Sequence, residues 1–237
     1  MRDRSLLRPV VAEFLGTALL LAAIVGSGIA AQRLSPNDVG LELLENAAAT
    51  AAALVAIILA LGPVSGAHLN PVVTIADWAL GGVSARAAVG YVLGQVAGGI
   101  AGTILANMMF GLAFLQISTK VRSGGGLWLA EVVATFGLLL VVFGVVRSGR
   151  TSVAPFAVGA YIAGAYWFTA STSFANPAVT IAREFSNTFA GVAPSSAPAF
   201  IAAPFGGAVV AGLAARLLYP AIREVADRAV VPHEIAD

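Results

Sequence analysis

Asn70-Pro71-Val72-Val73-Thr74-Ile75-Ala76 and Asn176-Pro177-Ala178-Val179-Thr180-Ile181-Ala182 are two copies of one heptapeptide, one in each half of the chain. Asn followed by Pro is a helix start: the Asn side chain caps free backbone donors, and Pro fits the first helical position without losing a hydrogen bond. Each copy opens a short apolar piece, 70–80 and 176–186, too short to cross a bilayer. Ten helical residues rise about 15 Å, half of an apolar core about 30 Å thick. Two helix starts inside a membrane, one per half, mark a pore or transport site built from half-helices.

The rest of the chain supplies the membrane context. Of its 237 residues, 59% are hydrophobic and 11% are charged, and mean hydropathy is +0.90. Soluble domains carry roughly 25% charge, so this chain lacks the polar surface to cover a globule. Six apolar stretches are long enough to span, at 9–31, 46–63, 87–110, 127–147, 152–171 and 198–219. Each half is then three spans plus one short piece, about 9–110 and 127–219, within a single domain over 1–237. Three is odd, so the second half enters from the opposite side and the repeat is inverted. The predicted fold is therefore an all-α membrane protein of six transmembrane helices plus two re-entrant half-helices. The basic start, Met1 to Arg8, runs into a stretch too long for a signal peptide and reads as the first span.

Charge sets the orientation. Arg2, Arg4, Arg8, Arg86, Arg147, Arg150, Arg216, Arg223 and Arg228 fall on one side of a six-span chain; Arg33, Lys120, Arg122 and Arg183 fall on the other. The bias places both termini, and a polar tail at 220–237, in the cytoplasm, with the chain in the inner (plasma) membrane.

Inverted symmetry brings the two half-helix N-termini together near the midplane. Both positive dipole ends, and the Asn70 and Asn176 amides, then face one point. A cation there is repelled; a neutral hydrogen-bonding solute is not. Glu13 and Glu131 open equivalent spans as Ala12-Glu13-Phe14 and Ala130-Glu131-Val132. An intramembrane carboxyl is expensive and needs a function. Their symmetric placement points to accepting backbone donors from the chain that leads into each half-helix, with proton coupling as the other reading. Glycines at 94, 98, 102, 159, 164, 207 and 212 are read as helix contacts. Tyr161, Tyr166, Trp167 and Trp128 lie near span ends and are read as interfacial anchors. The chain has no cysteine, hence no disulfide, thiolate ligand or thiol nucleophile. No residue set suggests an enzyme, a metal site, a cofactor or a nucleic-acid partner.

The stretch Ser65-Gly66-Ala67-His68-Leu69-Asn70-Pro71-Val72-Val73-Thr74, with Asn176-Pro177-Ala178, resembles the aquaporin and aquaglyceroporin (major intrinsic protein) family over essentially the whole chain. The resemblance implies a homotetramer in the lipid bilayer, with one pore per subunit and a constriction at Asn70, Pro71, Val72, Asn176, Pro177 and Ala178. It places His68 on the cytoplasmic vestibule, where protonation would tune flow, and gives Glu13 and Glu131 a structural task. Counted from the two Asn residues, the family's aromatic/arginine filter falls on Thr50, Gly164, Ser173 and Val179. Val179 stands where the family has arginine and Thr50 where it has a large aromatic. That ring is similar to the one in bacterial members associated with arsenic handling. It predicts a wide filter of low polarity passing water, glycerol-like polyols, urea-like amides and neutral metalloid acids such as arsenite or methylated arsenicals. A strict water channel and an ion-coupled transporter are the alternatives.

Arg183 follows Val179 by four residues, one turn further along the same face. Two expectations stand for it: drawing anionic or strongly polar solutes into a vestibule, or snorkelling to lipid headgroups. Its inverted counterpart, Asp77, is expected to line the opposite mouth.

Overall fold

The structure, a computed structural model, describes residues 3–219, with side chains from residue 6 onward. The expected tail at 220–237 and the first two residues lie outside it. Eight α-helices follow in order: α1 (Asp3–Leu34), α2 (Val39–Ser65), α3 (Pro71–Leu80), α4 (Ala85–Met109), α5 (Gly125–Arg147), α6 (Ala154–Phe168), α7 (Pro177–Arg183) and α8 (Ala197–Leu218). Five of them are long and apolar enough to cross a bilayer. The sixth span, α6, has 15 residues and is preceded by a 3-10 turn at Thr151–Val153.

The differences from the expected boundaries have local causes. α2 starts seven residues early because Asp38 caps it, accepting from the Leu41 N–H at 2.9 Å. α6 stops at Phe168, where Thr169 turns extended and its hydroxyl donates back to the Ala165 carbonyl. α7 stops at Arg183 because the chain folds back: the Arg183 carbonyl accepts from Val192 N–H, and the Glu184 carbonyl accepts from Ser118 N–H.

Within each half the first and last spans touch at backbone distance. A Cβ on Gly98 would sit 2.1 Å from the Phe14 carbonyl oxygen, and one on Gly207 would sit 2.4 Å from that of Val132. Phe14 and Val132 are the residues after Glu13 and Glu131, so the two contacts are inverted copies. Gly159 brings α6 against α2, where an added Cβ would meet Val55 and Ala51. Gly164 and Gly212 make no such contact with another helix.

The burial pattern is that of a membrane protein. Leu93, Leu213 and Leu217 are at least 60% exposed, whereas Glu13, Gln95, Asn46 and Glu131 are almost wholly enclosed. The apolar side chains that face out suit lipid; inside, Glu13 and Glu131 satisfy backbone that leaves helical geometry, Gln95 donates to Glu13, and Asn46 ties α2 to the Ile24 carbonyl of α1.

Candidate functional site: the channel between two half-helices

Asn70 and Asn176 build the centre of the molecule reciprocally. Asn70 Oδ1 accepts from Val72 N–H at 3.0 Å, while its amide donates to the Ala175 carbonyl at 2.8 Å. Asn176 Oδ1 accepts from Ala178 and Val179 N–H at 2.9 and 3.2 Å, while its amide donates to the Leu69 carbonyl at 2.8 Å. Each Asn therefore caps its own half-helix and ties it to the approach strand of the other. An amide carries two N–H donors. One of each pair remains, and both residues line a cavity that runs between the halves.

The approach strands have an unusual backbone. Ala67 and Leu69 in one, and Ser173 and Ala175 in the other, have φ between 47° and 54°. Left-handed geometry costs a non-glycine residue about 1 kcal/mol or more. What holds it is the buried carboxyl. Glu13 accepts from His68 and Leu69 N–H at 2.9 and 2.7 Å, from the Ser65 hydroxyl at 2.6 Å and from the Gln95 amide at 2.7 Å. Glu131 accepts from Phe174 and Ala175 N–H at 2.9 and 2.7 Å. Each carboxyl takes two backbone donors from the strand that leads into its half-helix.

Thr50, Ser173 and Val179 line the cavity. Gly164 does not. It faces out of the protein, and α6 instead presents Val158, Ile162 and Tyr166, each four residues from the next. Two residues along a helix is about 200° of rotation, so 164 and 166 point to opposite sides. The count from Asn176 back to 164 crosses the turn at 169–175, whose length sets the register of α6 and is not readable from the helix itself. Tyr166 is thus a pore residue, 3% exposed, rather than an interfacial anchor. Its hydroxyl lies 3.2 Å from the Thr50 hydroxyl. The expected ring with no aromatic member is corrected accordingly. Trp128 and Trp167 are exposed on the exterior, and Tyr161 donates to the Ala134 carbonyl.

Of the two expectations for Arg183, snorkelling is not what the structure has. Arg183 is 2% exposed and does not reach headgroups. Its Nε donates to the Ala190 carbonyl, its guanidinium carbon lies 3.6 Å from the Phe174 ring centroid, and it lines the cavity. Phe174, the inverted counterpart of His68, was not singled out by sequence as a pore residue, yet it lines the cavity and packs against Phe200. Arg122 approaches the same ring at 5.2 Å but is tied to the Gly191 and Phe189 carbonyls.

On the other side, His68 lines the cavity. Its Nδ1 is 3.1 Å from the Thr74 hydroxyl, its Nε2 is 3.7 Å from Asp77 Oδ2, and its ring meets Tyr91 edge-on. Asp77 is 3% exposed and sits behind His68, so it does not line the mouth as expected. It shares a face of α3 with the buried Val73 and Thr74, four and three residues earlier, and that face is turned inward. Pro71, Val72, Pro177 and Ala178 are buried at the two helix starts.

Two capped half-helices meeting end to end inside six spans define a membrane channel. Residues 1–215 match the model of the family described as major intrinsic protein, and the chain belongs to that family. It is a multi-pass membrane channel and not an enzyme. It is 51% identical to aquaglyceroporin AqpS of Rhizobium meliloti (strain 1021), over 93% of this chain and 94% of that protein. It is 31% identical to aquaporin AqpM of Methanothermobacter marburgensis, over 88% and 96%. The solved structure of the aquaglyceroporin from Plasmodium falciparum shares the fold, with a TM-score of 0.70 at 20% identity, over 92% of this chain and 98% of that one.

Proposed function

We propose that this protein is a passive channel for small neutral solutes: water, glycerol-like polyols, and neutral metalloid acids such as arsenite. The observation that carries the reading is the composition of the cavity wall. Val179, Thr50 and Ser173 line it without a ring arginine, and the cavity wall carries no carboxylate among the described residues. Glu13, Glu131 and Asp77 all lie behind it, occupied with donors or with His68. A coupled transporter needs a charged ion site on the path. The similarity to a protein named aquaglyceroporin over nearly its whole length supports the polyol reading. Homotetrameric assembly, an inner-membrane location and cytoplasmic termini belong to the same proposal.

Tyr166 favours a second reading, a water channel, because its ring adds bulk next to Thr50. Stopped-flow light scattering on proteoliposomes separates the two, using sucrose, glycerol, urea and neutral arsenite gradients. The expected result is glycerol and arsenite flux well above empty vesicles, cut about tenfold or more in Val179→Arg, which adds about 1.4 kcal/mol or more to the solute barrier. Water flux alone in the wild type establishes the second reading.

A further inference from the structure

We propose that Arg183 supplies, from one helical turn beyond Val179, the cationic and donor function that the ring itself lacks, and is the channel's specificity-determining residue. The inference rests on the neutral-solute reading above. Arg183 is 2% exposed and lines the same cavity as Val179. It is held rigidly, by Nε on the Ala190 carbonyl and by the guanidinium stacked on Phe174. A guanidinium has five N–H donors, and this anchor uses one. Among the described residues its terminal nitrogens donate to no protein atom, and no acidic side chain forms an ion pair with it.

A fixed cation in a low-dielectric, confined passage acts far more strongly than one in water. It bars permanent cations on the α7 side before they reach the two Asn residues. Its remaining donors replace water on hydroxyl and oxo groups, so oxygen-rich solutes lose less on dehydration than apolar ones of similar size. Val158, Ile162 and Val179, apolar neighbours on the same wall, provide no such replacement. Phe174 does two things here: its face holds the cation, and its backbone N–H is bound by Glu131.

The test uses full-length protein in liposomes, with sodium efflux and glycerol influx measured on wild type, Arg183→Met, Arg183→Lys, Arg122→Met and the double variant Val179→Arg/Arg183→Met. The wild type is expected to retain sodium. Arg183→Met is expected to raise sodium efflux about tenfold and lower glycerol influx about threefold, a loss of about 0.6 kcal/mol at the solute. Arg183→Lys keeps sodium out because the charge remains, and the double variant restores exclusion by returning charge one turn inward. Arg122→Met changes both fluxes less than about twofold, because Arg122 holds loop carbonyls off the cavity wall. Sodium retention and unchanged glycerol influx in folded Arg183→Met overturn the inference while leaving the channel reading intact. Wild-type glycerol influx at the level of empty liposomes defeats the channel reading instead. Should Arg183→Met not fold, wild type alone decides: external methanesulfonate must slow glycerol influx more than tetramethylammonium does, and equal effects overturn the inference.

Discussion

The two halves of the channel share one backbone plan and carry opposite chemistry. Where the α3 half has His68 and Asp77, the α7 half has Phe174 and Arg183. In the first, a charged group sits behind a pore-lining imidazole; in the second, a charged group lies in the wall itself, stacked on an aromatic ring. The supports differ as well. Each carboxyl takes two backbone N–H groups and one serine hydroxyl, Ser65 at Glu13 and Ser171 at Glu131, but only Glu13 has a fourth donor, the Gln95 amide. Symmetry is thus kept where backbone must be satisfied and given up where solutes are met. The asymmetric positions are the ones that can set direction-independent selectivity without disturbing the scaffold.

The sharpest way to break this comparison is to remove each carboxyl. Glu13→Ala strands four donors and is expected to cost about 4 kcal/mol, with Glu131→Ala, which strands three, costing about 3, since each abandoned buried donor costs about 1–3. Thermal unfolding in detergent, read by loss of helical signal, ranks the two; equal losses would show that the Gln95 amide adds nothing to the Glu13 network. A smaller effect is expected at the caps. Asn70→Ala and Asn176→Ala each lose a cap and a bond to the other half, about 2 kcal/mol. Asn176→Ala is the slightly worse of the pair, because Asn176 caps two N–H groups and Asn70 one. The same unfolding assay measures the difference, and glycerol flux should fall in both.

The smallest effect concerns Lys120, in the loop that closes the α7 side. Burial first, then the charges of Arg122 and Arg183, holds its ammonium down to about 8. Its ordinary value is about 10.4. A base with a lowered folded pKa destabilises the fold while it is charged, so stability rises as pH climbs from about 8 toward about 10.4. The melting temperature at pH 9.5 should exceed that at pH 7 by about 1 °C, and Lys120→Met should remove the rise. A melting temperature that falls over this interval in wild type, but not in the variant, reverses the sign and breaks the argument.

Much of this was legible in the chain. The paired Asn-Pro starts, the odd number of spans per half and the paired Glu residues determine an inverted repeat with two re-entrant helices. Each of these is a local rule: a cap needs its Asn, a span needs its length, and a buried carboxyl needs donors. What faces the solute was less legible. Tyr166 and Gly164 are two residues apart and differ by about half a turn, so two residues of register at the turn 169–175 decide which is in the pore. Arg183 reads equally well as a lipid anchor until the loop at 190–192 is seen folding back over α7 to give its guanidinium a carbonyl, with the Phe174 ring of the approach strand against it. Asp77 reads as a mouth residue until the imidazole of His68 is seen to screen it from the cavity. Sequence by itself determined the scaffold, because backbone hydrogen bonds in lipid must be satisfied locally or by a symmetric partner. Only the tertiary structure decided the pore wall, because which face of a helix looks inward depends on neighbours that are distant in the chain.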